Sequence, residues 1–194
     1  MAEAIAQDLE TRLQELTQRL EALESRYEKD MRRIQRHLPE NRVAIICFSG
    51  NLDKAMAALI IATGAASMGM QVSIFFTFWG LSVIKNGAQL RGKSFMEKLF
   101  SIMLPENMRE LGPSQMNFGG IGARMMRAIM RKKQVQSLEE LFQLARELGV
   151  RLVACTMSMD VMGIRAEELL PGMELGGVAT YLADASKSKV TLFI

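Results

Sequence analysis

Residues 150–164 read VRLVACTMSMDVMGI, and the switch at its middle decides the fold. Val150, Leu152, Val153 and Ala154 form a short apolar run, which predicts a buried strand. The run stops at Cys155, where Thr156, Ser158 and Asp160 predict a polar loop. In α/β sheets ligands bind outside the carboxyl ends of the strands, so the chain delivers a thiol to the customary site of chemistry. Met157, Met159 and Met162 crowd further soft sulfur around it.

Working outward, Ser137 with Glu140 three residues later reads as a capping box. Leu138, Leu141, Phe142, Leu144, Ala145 and Leu148 supply the apolar face of the helix it opens, and Gly149 closes it. Far upstream, Val43–Phe48 is apolar and partly β-branched, the pattern of a strand covered on both faces. Ser49-Gly50-Asn51 turns the chain, and Asn51 suits the N-cap of a helix over 52–68. After Gly69 a second strand is predicted over Val72–Phe78, with a loop from Trp79-Gly80. Strand, helix and strand with short links make a βαβ unit. Downstream the pattern predicts a turn of helix over Glu167–Leu170, a helix over Gly177–Ser186 and a last strand over Val190–Ile194.

Two stretches stand apart from this framework. Ala6, Leu9, Leu13, Leu16, Leu20, Leu23 and Tyr27 keep the three-four spacing of a heptad, and Met31, Ile34 and Leu38 continue it after a stutter. Residues 1–38 are therefore expected to form a coiled-coil arm that oligomerises, the alternative being a docking helix for another protein. Residues 81–136, inside an α/β domain over 42–194, read as a Met-rich helical insertion. It has short helices at Leu81–Ile84 and Phe95–Met103 and a basic helix at Ala123–Lys133, with no evident strand.

Composition bounds the class. Hydrophobic residues make up 49% of the 194, ample for a core, and the net charge is only +3. Residues 85–133 nevertheless hold ten Lys or Arg against three Asp or Glu. That basic excess lacks the interleaved aromatics of a nucleic-acid surface, so a solvated helix face or an acidic protein partner is the simpler expectation. No charge falls between Lys54 and Lys85, long enough to raise a membrane span. Glycines and polar residues interrupt it, and the helix–turn–strand reading is preferred. Two cysteines without CxxC, one histidine (His37) and a charged N-terminus suggest a reducing cytoplasm and no zinc site.

The cysteine stretch resembles the cysteine loop of DsrE/DsrF-like proteins, the sulfur-relay family. Four further stretches carry the likeness: IICFSGNLDKAMAALIIATGAASMGMQVSIFFTFWGL (45–81), the Met-rich middle, SLEELFQLARELGVRLVAC (137–155) and GGVATYLADASKSKVTLFI (176–194). The resemblance implies a flavodoxin-like doubly wound parallel sheet. We expect Val43–Phe48 at its centre, the Val72–Phe78 strand on one side, and the Cys155 strand then Val190–Ile194 on the other. It further implies a cytoplasmic sulfur carrier, with a persulfide on Cys155, sulfur-donor and sulfur-acceptor protein partners, and no redox cofactor. The alternative is a non-catalytic oligomeric scaffold or a peripheral membrane module.

Each candidate group has a plainer reading beside the chemical one. Cys155 is either an exposed nucleophile, its pKa lowered by backbone N–H groups of the loop, or a buried structural cysteine. Cys47 is a second thiol or a core residue. Asp160 orients the thiol or is an ordinary polar residue. Ser49, Gly50 and Asn51, and the loop residues Thr156, Met157 and Ser158, are candidate ligand contacts; the first three serve equally as a helix cap. The 16 methionines suit Cu(I) in principle but more simply fill cores and adaptable surfaces.

Overall fold

The computed structural model describes the backbone of residues 1–194 and the side chains of all but residues 2–6, 8, 10–11 and 35–37. The heptad position Ala6 and the lone His37 lie outside the described side chains. The chain divides into two compact units, Met1–Leu38 and Pro39–Ile194. The first is one long helix, α1 (Ala2–His37), on which Leu9, Leu13, Leu16, Leu20, Leu23 and Tyr27 are exposed.

The second unit is a flavodoxin-like α/β fold: five parallel strands flanked by helices. In chain order these are β1 (Glu40–Cys47), α2 (Leu52–Ser67), β2 (Gln71–Phe76), α3 (Phe95–Met103), α4 (Ile121–Lys132) and α5 (Leu138–Glu147). There follow β3 (Arg151–Cys155), α6 (Thr156–Met162), β4 (Glu174–Gly176), α7 (Val178–Ala185) and β5 (Ser188–Phe193). The uncharged stretch after Lys54 resolves into α2, a turn at Gly69 (φ 75°), β2 and a 3-10 helix over Phe78–Val83. Among the described residues no helix is long and apolar enough to cross a membrane.

The strand order β4-β3-β2-β1-β5 corrects the expected arrangement. The Cys155 strand lies beside β2, not β1, and β2 takes the centre. The C-terminal strand pairs with the other side of β1. The physical reason is where the connections pack. α5 lies alongside α2 on one face, which carries the chain outward past β2 to β3. α7 then returns across the opposite face, leaving the free flank of β1 as the place where β5 docks. Further corrections are local. β2 ends at Phe76, not Phe78, because Thr77 N–H and Gly80 N–H turn back to the carbonyls of Cys47 and Phe48. β4 is a three-residue strand where the sequence shows no β-branched residue.

The pleat sorts the core into two faces. Val43, Ile45 and Cys47 on β1, Ile74 and Phe76 on β2, and Leu152 and Ala154 on β3 face α2 and α5 in one large cluster. Each fully buried leucine or isoleucine there contributes about 1.5–3 kcal/mol. The other face is thinner: Phe75, Val153 and Cys155 form a small cluster, with Tyr181 of α7 packed against it.

Candidate functional site

Cys155 is the last residue of β3 and the N-cap of α6, so the expected loop after it is a helix. α6 is held by a buried hydrogen bond of 2.8 Å between the hydroxyls of Ser158 and Thr77, which fastens its first turn to the end of β2. Thr156 and Met157 are exposed beside it, and Ser158 is buried. Gly163, with φ 63°, ends the helix in the left-handed region that favours glycine.

Of the two readings open for Cys155, exposed or buried, the structure has it buried, at 3% exposure. The cover comes from the thin face of the sheet. Phe75 and Val153 pack with it, and Tyr181 closes over them, its ring 5.7 Å from that of Phe75. Tyr181 is itself half-exposed, and desolvation raises its phenol above the ordinary tyrosine pKa. On the neighbouring strand the residue paired with Cys155 is Gly176, where any Cβ would press within 2.9 Å of Thr180 and Val153. The strand residue beside the thiol therefore has no side chain of its own, and Tyr181 packs against the cluster that contains it.

Cys47 ends β1 on the opposite face. Burial pushes its thiol up to about 12, and the protonated sulfur donates to the Ser49 carbonyl at 3.7 Å. The structure does not bring Cys47 and Cys155 together. Asp160 is exposed on the last part of α6, and among the described residues no hydrogen bond joins it to Cys155.

Ser49, Gly50 and Asn51 line a hollow of about 300 Å³ at the carboxyl edge of β1, with Trp79 and Met103. Their polar groups are spent internally. Ser49 Oγ donates to Asn51 Oδ1 at 2.6 Å and accepts from Asn51 N–H at 3.3 Å. Leu52 N–H, in the first turn of α2, donates to the Gly112 carbonyl at 2.8 Å. Asn51 has the extended backbone of an N-cap but makes no side-chain cap hydrogen bond.

Tyr181 and Gly176 were not candidates in the sequence. Gly176-Gly177 is a legible signal of close backbone approach; Tyr181 carries no local mark. The buried pair Lys93 and Glu168 likewise carries no local mark in the sequence. Lys93 Nζ donates to both carboxylate oxygens, at 2.8 and 2.7 Å, and to Ser101 Oγ at 2.8 Å.

Comparison with known proteins identifies relatives of the chain. Residues 39–193 match the model of the DsrE/DsrF/DrsH-like family. The chain is 47% identical over 154 residues to YrkE of Bacillus subtilis, covering 79% of this chain and 96% of that protein. It is 31% identical over 167 residues to the sulfur carrier protein DsrE2 of Allochromatium vinosum, covering 81% of this chain and all of that one. The crystal structure of the ychN protein from E. coli aligns with a TM-score of 0.44 at 11% identity, over 79% of this chain and 98% of that one.

Proposed function

Because the chain belongs to the DsrE/DsrF/DrsH-like family, we propose that it is a sulfur carrier of the cytoplasm that holds sulfane sulfur on Cys155. The observation that carries this reading is the placement of Cys155 at the carboxyl end of a parallel strand, in a small cluster against which Tyr181 packs. A relative bearing the name sulfur carrier protein supports it.

The chemistry is thiol–persulfide exchange. The Cys155 thiolate attacks the outer sulfur of a donor persulfide, forming a Cys155–S–SH group, and the donor leaves as its thiolate. An acceptor thiolate then attacks that outer sulfur, and Cys155 departs as the thiolate. Sulfur moves without net oxidation, so no redox cofactor enters the balance. Rates of such exchange depend on access and on thiolate fraction. A covered thiol suits a carrier, because the loaded sulfur is shielded from small thiols until a partner opens the cover. Tyr181, packed against the cluster and partly exposed, is the group we expect to yield.

The second reading, a non-catalytic oligomeric module, is favoured by the exposed leucine stripe of α1. Intact-mass spectrometry after polysulfide treatment separates the two. Carriage requires whole-sulfur increments on the folded protein that dithiothreitol removes, that survive Cys47→Ser and that vanish in Cys155→Ser. Tyr181→Ala should load faster. If Cys155 gains sulfur only after denaturation, the carrier reading fails.

A further inference from the structure

Lys85 is the feature that sulfur transfer leaves unexplained. Its side chain is buried, with 1% of the residue exposed, and among the described residues its Nζ donates to no acceptor. The position is held firmly: Lys85 bridges Leu169, Asn86 N–H donates to the Glu168 carbonyl, and Leu170 N–H donates to that of Ile84. The neighbouring carboxylate cannot serve the ammonium. Glu168 already accepts two hydrogen bonds from Lys93 Nζ and one each from the backbone N–H of Gln89 (2.6 Å) and Arg165 (2.8 Å). Those four hydrogen bonds fill the lone-pair sites of a carboxylate. A buried donor without an acceptor is costly, and native structures rarely keep one without a use.

The surroundings suggest that use. Lys85 lines a hollow of about 340 Å³ together with Asn86, Asn107, Arg109 and Glu139. Arg109 and Glu139 also line an adjoining hollow of about 460 Å³, to which α4 adds Arg124, Arg127 and Arg131. Cations outnumber the one lining carboxylate along this connected wall, and Glu139 is ion-paired to Arg109 at 3.3 Å. Volumes of this size suit small-molecule ligands.

We propose that this hollow binds a small molecule through an oxyanion group, carboxylate, phosphate or sulfate, for which the Lys85 ammonium is the buried counter-charge and Arg109 the outer one. Burial holds the Lys85 amine below the ordinary lysine pKa. Glu168, then Glu106 and Glu110, oppose that shift, and Lys93 adds to it. A bound anion favours the charged ammonium and so opposes that shift. The site is separate from Cys155 and stands or falls independently of sulfur transfer.

The test is calorimetric titration of the full-length protein with sodium sulfate, phosphate and pyrophosphate at constant ionic strength held with chloride. Saturable single-site binding is expected. Lys85→Met should abolish the binding while leaving the protein at least as stable in chloride, because no partner is lost. Arg109→Gln, at an exposed position, should weaken binding several-fold. Glu139→Gln, which removes the opposing carboxylate and releases Arg109, should tighten it several-fold. No saturable binding of any of the three anions overturns the proposal, as does affinity unchanged by Lys85→Met. Should Lys85→Met not fold, unchanged affinity in both Arg109→Gln and Glu139→Gln overturns it.

Discussion

Cys47 and Cys155 end parallel strands at the same edge of the sheet but face opposite sides of it, with β2 between them. Strands are spaced by about 4.8 Å, so two intervals put the backbones roughly 10 Å apart. A disulfide needs Cα atoms within about 7 Å and Cβ vectors that converge. Diamide treatment of the folded protein should therefore give no intramolecular bridge. Any oxidised product should be a mixed or intermolecular disulfide through Cys155. Non-reducing mass spectrometry checks this, and loss of two hydrogens per monomer while the fold persists would refute the topology argument.

The Cys47 thiol makes alkaline stability its own test. Its folded pKa, pushed up to about 12 by burial, lies above the unfolded value of about 8.5. The protonated thiol thus contributes stability that is fully present below about pH 8.5 and is lost as pH rises toward 12. Relative to Cys47→Ala, the wild type should lose about 1 kcal/mol per pH unit in that window. Urea midpoints of the two proteins at pH 8 to 10.5 measure the difference. Parallel pH curves would show that Cys47 is not desolvated.

How far the sequence reveals this fold depends on whether the signal is local. β1, β2 and β3 are legible because strands covered on both faces read as continuous apolar runs, and α5 because Ser137 and Glu140 form the capping box. The strand order is not legible, since it is decided by where α5 and α7 pack, far from the strands they connect. β4 owes its existence to pairing with β3 and has no composition of its own. The place of Cys155 at a strand end is visible in VACT. Its burial is not, because the residues that pack around it, Phe75 on β2 and Tyr181 on α7, are distant in sequence. Lys85 and Lys93 mislead for a physical reason: a lysine in a basic segment reads as solvated, and only the fold shows these two buried.

The Lys93–Glu168 pair is buried on both sides, with side chains 1% and 0% exposed. Burial alone would raise the Glu168 carboxyl. The hydrogen bonds from Lys93 and from the N–H groups of Arg165 and Gln89 outweigh it and hold the pKa below the ordinary range. Lys93→Met should cost about 3–5 kcal/mol, the usual consequence of stranding a buried charge. Adding Glu168→Gln should recover part of this, because it removes the stranded charge, although the single amide oxygen can keep only one of the two backbone N–H bonds, which go to different carboxylate oxygens. Since the folded pKa is depressed, the stability is present above about pH 4.3 and is lost as pH falls through the folded value. Glu168→Gln alone should flatten that acid limb. Urea titrations at pH 3 to 7 decide, and an unchanged acid limb counts against the pair.

The remaining prediction separates the two surfaces that would build an oligomer. Along α1 the leucines at 9, 13, 16, 20 and 23 stand in water, with Tyr27 after them. A single helix bearing such a seam is stabilised by pairing it with another. On the compact unit, Phe95, Met96, Leu99, Ile102 and Met103 of α3 are also exposed, an apolar face of the kind that marks contact sites. Deleting residues 1–38 should leave Pro39–Ile194 folded, because both buried clusters lie within it. Light scattering should then show at least a dimer, smaller than the full-length assembly. Leu16→Glu with Leu20→Glu in the full chain should reproduce the deletion, since charge in the seam blocks helix pairing without touching the core. Met96→Glu with Ile102→Glu in the truncated chain should give a monomer. A folded, monodisperse monomer after the deletion alone would dismiss α3 as an interface, and an unchanged full-length mass in the double leucine variant would dismiss α1.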